Sequence, residues 1–177
     1  MRSKKFFILI LILILCALHG PAHAIKVSGG SFASSFHIGG VIGFGLGINF
    51  GMDAGIPIGD FELGAEIEQA ITDYKFEVSV NTTRLGLLVR YQIIEGLLSA
   101  GIHTGSTRFT TSKDTTFSDA SSGDKISLVG GDEYKASYVS ASIDYALGDL
   151  IITPRFYINY IEGGTLYEFD INLGMRF

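Results

Sequence analysis

The last eleven residues constrain this chain more than any other stretch. Tyr167, Phe169, Ile171, Leu173, Met175 and Phe177 occupy every second position, with Glu168, Asp170, Asn172, Gly174 and Arg176 between them. Successive side chains of a strand point to opposite faces. The segment is therefore a strand with one apolar face and one polar, charged face. A soluble sandwich can contain such a strand, but its final aromatic would seldom be the last residue. A strand of about ten residues, apolar outward and polar inward, is what a membrane-spanning β-barrel requires.

The other end points the same way. Arg2, Lys4 and Lys5 precede an apolar run over residues 6–18, and Ala22-His23-Ala24 forms a small-x-small cleavage site. The run is shorter than the roughly 20 residues a helical span needs. Residues 1–24 are therefore expected to be a cleaved secretory signal, leaving a single domain over residues 25–177. Cys16 would leave with it, and Leu15 before it does not suit lipidation, so no disulfide or thiol chemistry is expected. Cleavage takes three of the 13 basic residues and leaves 10 against 18 acidic ones, a formal charge of −8. That balance, without a basic patch, speaks against nucleic-acid binding.

Traced backward from the C-terminus, the alternation predicts strands at residues 165–177, 150–162, 134–147, 97–109, 83–94, 61–68 and 38–56. Turns fall at Gly163-Gly164, Gly148-Asp149, Glu95-Gly96 and Ile58-Gly59. The outward parity flips between strands at each of these two-residue turns, so apolar faces pair with apolar faces. Polar tracts at 69–82 and 110–133 become long loops, both on the side opposite the three turns near residues 58, 95 and 148. Seven strands cannot close a bacterial barrel, which has an even number. Residues 25–35 are expected to supply the eighth and to pair with the C-terminal strand.

Eight strands leave an interior just wide enough for side chains. By parity it receives Glu62, Glu66, Glu68, Asp144, Glu168 and Asp170 against Arg84, Arg90, Arg155 and Arg176, with His103. Buried charges must pair. The turns predict an Arg155–Asp144–Asp170 cluster, with Arg84 and Arg90 facing the Glu66/Glu68 strand. The bland reading is a structural polar network; the sharper one is a path for small polar or cationic solutes. Chemistry is poorly supported. His103-Thr104-Gly105-Ser106 is the nearest approach to the lipid-facing His-x-Ser pair of the lipid A deacylases, but its spacing places His103 and Ser106 on opposite faces. No G-x-S-x-G stretch occurs, and His37 and His103 alone do not make a metal site, so no cofactor is expected.

The leader, the alternation, the turn and loop asymmetry and the terminal Phe together resemble the small eight-stranded bacterial outer-membrane barrels of the OmpA/OmpX type. The resemblance implies an all-β, antiparallel up-and-down barrel among outer-membrane lipid and lipopolysaccharide. It also implies handling by periplasmic chaperones and the barrel-assembly machinery. That machinery would read Tyr167, Phe169, Ile171, Leu173, Met175 and Phe177 as the assembly signal. The expected role is structural or surface-interacting, through the outer loops and without catalysis. A narrow passive channel and a lipid A-modifying enzyme are the alternatives.

Overall fold

The computed structural model describes residues 26–27, 30–31, 33–42, 46–74, 77–119 and 122–176. Residues 1–24 with Cys16, and the terminal Phe177, lie outside them. Two short strands, β1 (Lys26–Val27) and β2 (Gly30–Ser31), pair with each other. Then follow β3 (Ala33–Ile42), β4 (Leu46–Ile58), β5 (Phe61–Tyr74), β6 (Val78–Ile94) and β7 (Leu98–Thr111). A small hairpin of β8 (Thr115–Ser118) and β9 (Lys125–Leu128) intervenes before β10 (Glu133–Leu147), β11 (Leu150–Ile161) and β12 (Gly164–Arg176).

The eight long strands close into an antiparallel barrel in the order β3-β4-β5-β6-β7-β10-β11-β12. β12 returns to β3, with Asn172 opposite Gly39 and Arg176 opposite Ser35. Closure leaves no unpaired strand edge, which a bilayer would not tolerate. The alternation sorts side chains as a membrane requires. Leu87 and Ile102 are 66% and 64% exposed on the outer face, whereas Leu88 and His103 beside them are almost fully buried within. Exposed Leu63, Ile67, Leu85, Ile143, Ile171 and Leu173 continue an apolar belt that water would not stabilise and lipid would. Tyr91 and Tyr145 stand toward one rim of the belt, Tyr160 and Tyr167 toward the other, as interfacial aromatics do.

The eighth strand is not residues 25–35. The stretch 38–56, expected as one strand, is divided between β3 and β4, which pair with each other, Ile42 opposite Leu46. The three residues between them are an odd number, so even positions face outward on both sides and the alternation passes through the connection unbroken. At 19 residues the single strand was also far longer than the roughly 9–11 that cross a bilayer.

The tract at 69–82 is not a long loop either. β5 runs to Tyr74 and β6 starts at Val78, with Tyr74 opposite Val78. Polar outward residues such as Gln69, Asn81 and Thr83 hid the strands, because their alternation shows only on the inner face, at Ala70, Thr72, Val80 and Thr82.

Two turns close one residue away from the expected place. Ile58 faces Phe61 across Gly59-Asp60, and Ile161 faces Gly164 across Glu162-Gly163. Gly59 and Gly163 carry the positive φ angles, 62° and 93°, that an L side chain resists. At the third turn Ile94 faces Leu98, and a register shift near Gln92 restores the alternation.

Candidate functional site

The lumen is filled by side chains from all parts of the barrel. Neighbouring strands make the simplest pairs. Glu62 lies opposite Arg90 and Glu68 opposite Arg84, and each forms an ion pair with its neighbour. Larger links cross the interior. Arg90 also reaches Asp144 and Asp53, the latter at 3.4 Å. Arg84 holds Glu168 at 2.6 Å while its guanidinium stacks on the Tyr157 ring, 4.1 Å from the centroid. His37 stands 3.2 Å from Glu68, and Asn49 donates to Asp170 at 2.7 Å.

Arg155 makes its ion pairs with residues other than Asp144 and Asp170. The shifted Glu162-Gly163 turn places Asp170 directly opposite it rather than diagonal. The guanidinium instead crosses the lumen to Glu66, at 2.9 Å, and Glu68, at 3.7 Å. The Tyr157 hydroxyl, 3.0 Å from the Arg155 guanidinium, donates to Glu68. The Tyr138 hydroxyl donates to Glu66 at 2.7 Å. Gly86 leaves room for that hydroxyl, since a Cβ there would overlap it.

Arg176 pairs through its backbone in β12, but its side chain lies outside the described set. Asp53, His37, Asn49 and Tyr138 join the network without having been anticipated. The first three lie on the two strands that were read as one, on a face that seemed mostly glycine.

One constellation invites a chemical reading. Ser142 Oγ is 2.9 Å from His103 Nε2, and His103 Nδ1 is 2.8 Å from Glu66. Serine, histidine and carboxylate in line are the elements of a nucleophilic relay. Here all three are buried, and Glu66 is already held by Arg155 and Tyr138. A lumenal void of about 10 Å³ beside Arg90, Asp144 and Arg155 touches neither Ser142 nor His103, and has room for about one water. Ser106 is exposed on the outer face, opposite in direction to His103.

The two ends of the lumen differ. At the short-turn end a recess of about 140 Å³ opens between Pro57, Glu62, Arg90 and Gln92, so solvent reaches that layer. At the other end the tract 110–133 is not an open polar loop. Within it β8 and β9 fold inward, and Phe117, Ile126 and Leu128 pack on Val80, Phe109, Ala136, Ile161 and Leu166. The hairpin is also tied down by polar contacts. Asp119 accepts the Thr165 amide at 2.7 Å, the Tyr134 hydroxyl accepts the Val129 amide at 2.6 Å, and Gly131 donates to the Thr111 carbonyl at 2.8 Å. The result is an apolar stopper across the mouth.

No protein-family profile matches the chain. No curated protein matches it either. Solved structures do. The N-terminal β-barrel domain of Pseudomonas aeruginosa OprF aligns with a TM-score of 0.55 at 14% identity, covering 84% of this chain and 99% of that one. The chain has the fold of the small eight-stranded outer-membrane barrels. Ail, the attachment invasion locus protein of Yersinia pestis, aligns with a TM-score of 0.54 at 12% identity, over 84% of this chain and 97% of Ail. A major outer membrane protein of Thermus thermophilus aligns with a TM-score of 0.56 at 12% identity, over 82% of this chain and 99% of that one. At such identities the likeness speaks for the barrel and for nothing more specific.

Proposed function

We propose that this protein is a bacterial outer-membrane barrel with a structural or surface-interacting role, without catalysis and without a standing pore. The observation that carries the reading is the double closure of the lumen. Cross-linked ion pairs fill it, and the β8–β9 stopper covers one mouth. The lumenal network acts as a structural plug, and the Ser142–His103–Glu66 line belongs to it rather than to an active site. The capped end is then the surface offered to the outside, where loops on a rigid scaffold concentrate binding residues. Two of the similar structures carry names of that kind, an attachment invasion locus protein and Neisserial surface protein A. Residues 1–24 are removed on export, and the alternating residues up to Phe177 serve assembly. The membrane-extracted protein should have the mass of a chain starting at Ile25.

The rival is a narrow path for small cations. It is favoured by the lumen's composition, in which carboxylates outnumber guanidiniums. Deletion of the protein separates the two readings. Loss of detergent resistance or of surface attachment supports the proposal. A selective loss of small-cation uptake, with resistance and attachment intact, supports the rival. A version with residues 115–128 replaced by a short turn then divides the proposed role. If it restores resistance but not attachment, the scaffold is structural and the cap is the binding surface.

A further inference from the structure

The described lumen holds more carboxylates than guanidiniums and imidazoles together, and the shortfall is local. Arg84, Arg90 and Arg155 are engaged by other carboxylates. Asp170 on β12 is fully buried, and among the described residues no ion pair reaches it. Asn49 on β4 donates from Nδ2 to Asp170 Oδ2 at 2.7 Å, while Asp170 Oδ1 has no hydrogen-bond partner among the described residues. That bond fixes the Asn49 amide with its own Oδ1 turned away from Asp170. One inward step along β12 stands Asn172, and Asn172 and Asn49 flank Gly39 of β3 from its two sides. A Cβ on Gly39 would lie within 2.7 Å of both amide oxygens, so the two converge on the space that the missing side chain leaves. Both amides are buried, and neither oxygen meets a donor among the described residues.

We propose that Asp170, Asn49 and Asn172 hold one small monovalent cation inside the barrel, in front of Gly39. A buried charge needs a partner, and unpartnered carboxylate and amide oxygens are the ligands that a hard cation takes. Among the described residues no three His, Cys, Asp or Glu side chains gather, so the donor set is not that of a transition metal. One carboxylate balances one positive charge. Its oxygen and the two amide oxygens also fall short of the roughly six to eight that calcium takes. An alkali ion of sodium's size answers both counts. The small void that Asn172 also borders has room for about one water to complete the shell. Turning the Asn172 amide would give Asn49 a donor but would leave the Asp170 charge unbalanced. The ion is a resident that stabilises the folded barrel, not a passenger through it. The inference goes beyond the proposed role and needs only the folded lumen.

The test uses the full mature chain, refolded in phosphatidylcholine vesicles and unfolded in urea above neutral pH. One series contains sodium chloride and the other choline chloride at equal ionic strength, choline being too large for the site. An ion bound by the folded state alone raises the unfolding midpoint with the logarithm of its concentration. The unmodified protein should show that rise with sodium and none with choline. Asp170→Asn removes the charge at nearly the same shape, and should abolish the sodium dependence without lowering the midpoint in choline. Asn172→Ala keeps the charge and removes one ligand, and should need roughly tenfold more sodium for the same rise. If Asp170→Asn does not fold, Asn172→Ala decides alone. Equal midpoints of the unmodified protein in the two salts overturn the site, and mean that a proton balances Asp170 instead. A sodium dependence unchanged in the variants that fold overturns it as well. The structural reading of the barrel stands in either case.

Discussion

At the scale of single residues, the lumen is a set of charges that cannot be removed one at a time. Arg155 is buried and serves both Glu66 and Glu68. Arg155→Ala leaves Glu66 without its guanidinium, while Glu68 keeps Arg84, and breaking a buried pair costs about 3–5 kcal/mol. Urea unfolding in lipid should show a loss of that size. An unchanged midpoint would mean that water reaches Glu66. Gly86→Ala tests packing in place of charge. The added methyl meets the Tyr138 hydroxyl and the Thr104 carbonyl, so overpacking should destabilise the barrel by about 1–3 kcal/mol in the same assay.

Parity alone assigns Glu62, Glu68, Arg84 and Arg90 to one face, and neighbouring register brings them into pairs. Parity does not say how far a long side chain reaches across a lumen. The sequence therefore shows nothing of the links from Arg155 to Glu66 or from Arg90 to Asp144, which join strands far apart in the chain.

At the scale of elements, legibility followed the outward face. β10, β11 and β12 alternate apolar and polar residues cleanly, and their limits in the fold lie within a residue of those expected. β3 and β4 merged because a three-residue connection preserves parity. The outer halves of β5 and β6 vanished because their outward residues leave the lipid and become polar. The β8–β9 stopper was hidden by its brevity. In Thr115–Ser118 and Lys125–Leu128 only Phe117, Ile126 and Leu128 are apolar, too few for a pattern within a polar tract.

Those three residues should nonetheless dominate the cap. Phe117→Ala removes an aromatic from the cluster over the mouth, and such truncations cost about 3–5 kcal/mol where the site cannot collapse. The barrel should keep its heat-modifiable migration while protease cuts between residues 112 and 132 much faster. An unchanged cutting rate would show that the hairpin does not depend on its apolar anchor.

At the scale of the whole molecule, the fold answers the demands of a bilayer. Strands pair around a complete circle, an apolar belt faces out, and the charges that a lipid could not accept are turned inward, where Arg84, Arg90 and Arg155 pair with carboxylates. The strand that closes the circle is the last one, and β12 meets β3 along most of its length. Deleting Phe177 should therefore lower the amount of folded protein in the membrane several-fold, whereas Lys113→Ala in the outer tract should not. Equal membrane levels of the two variants would show that assembly does not depend on Phe177.

A lumen filled by ion pairs and capped by β8–β9 should be closed to ions although the barrel spans the membrane. Conductance of the purified protein in a planar bilayer tests it most directly. The full mature chain should be silent at moderate voltage. It should stay silent with residues 115–128 replaced, because the ion-paired layers remain in the lumen. Discrete openings of the unmodified protein, changing in size when Glu66→Gln is introduced, would contradict it and establish a cation path through the lumen.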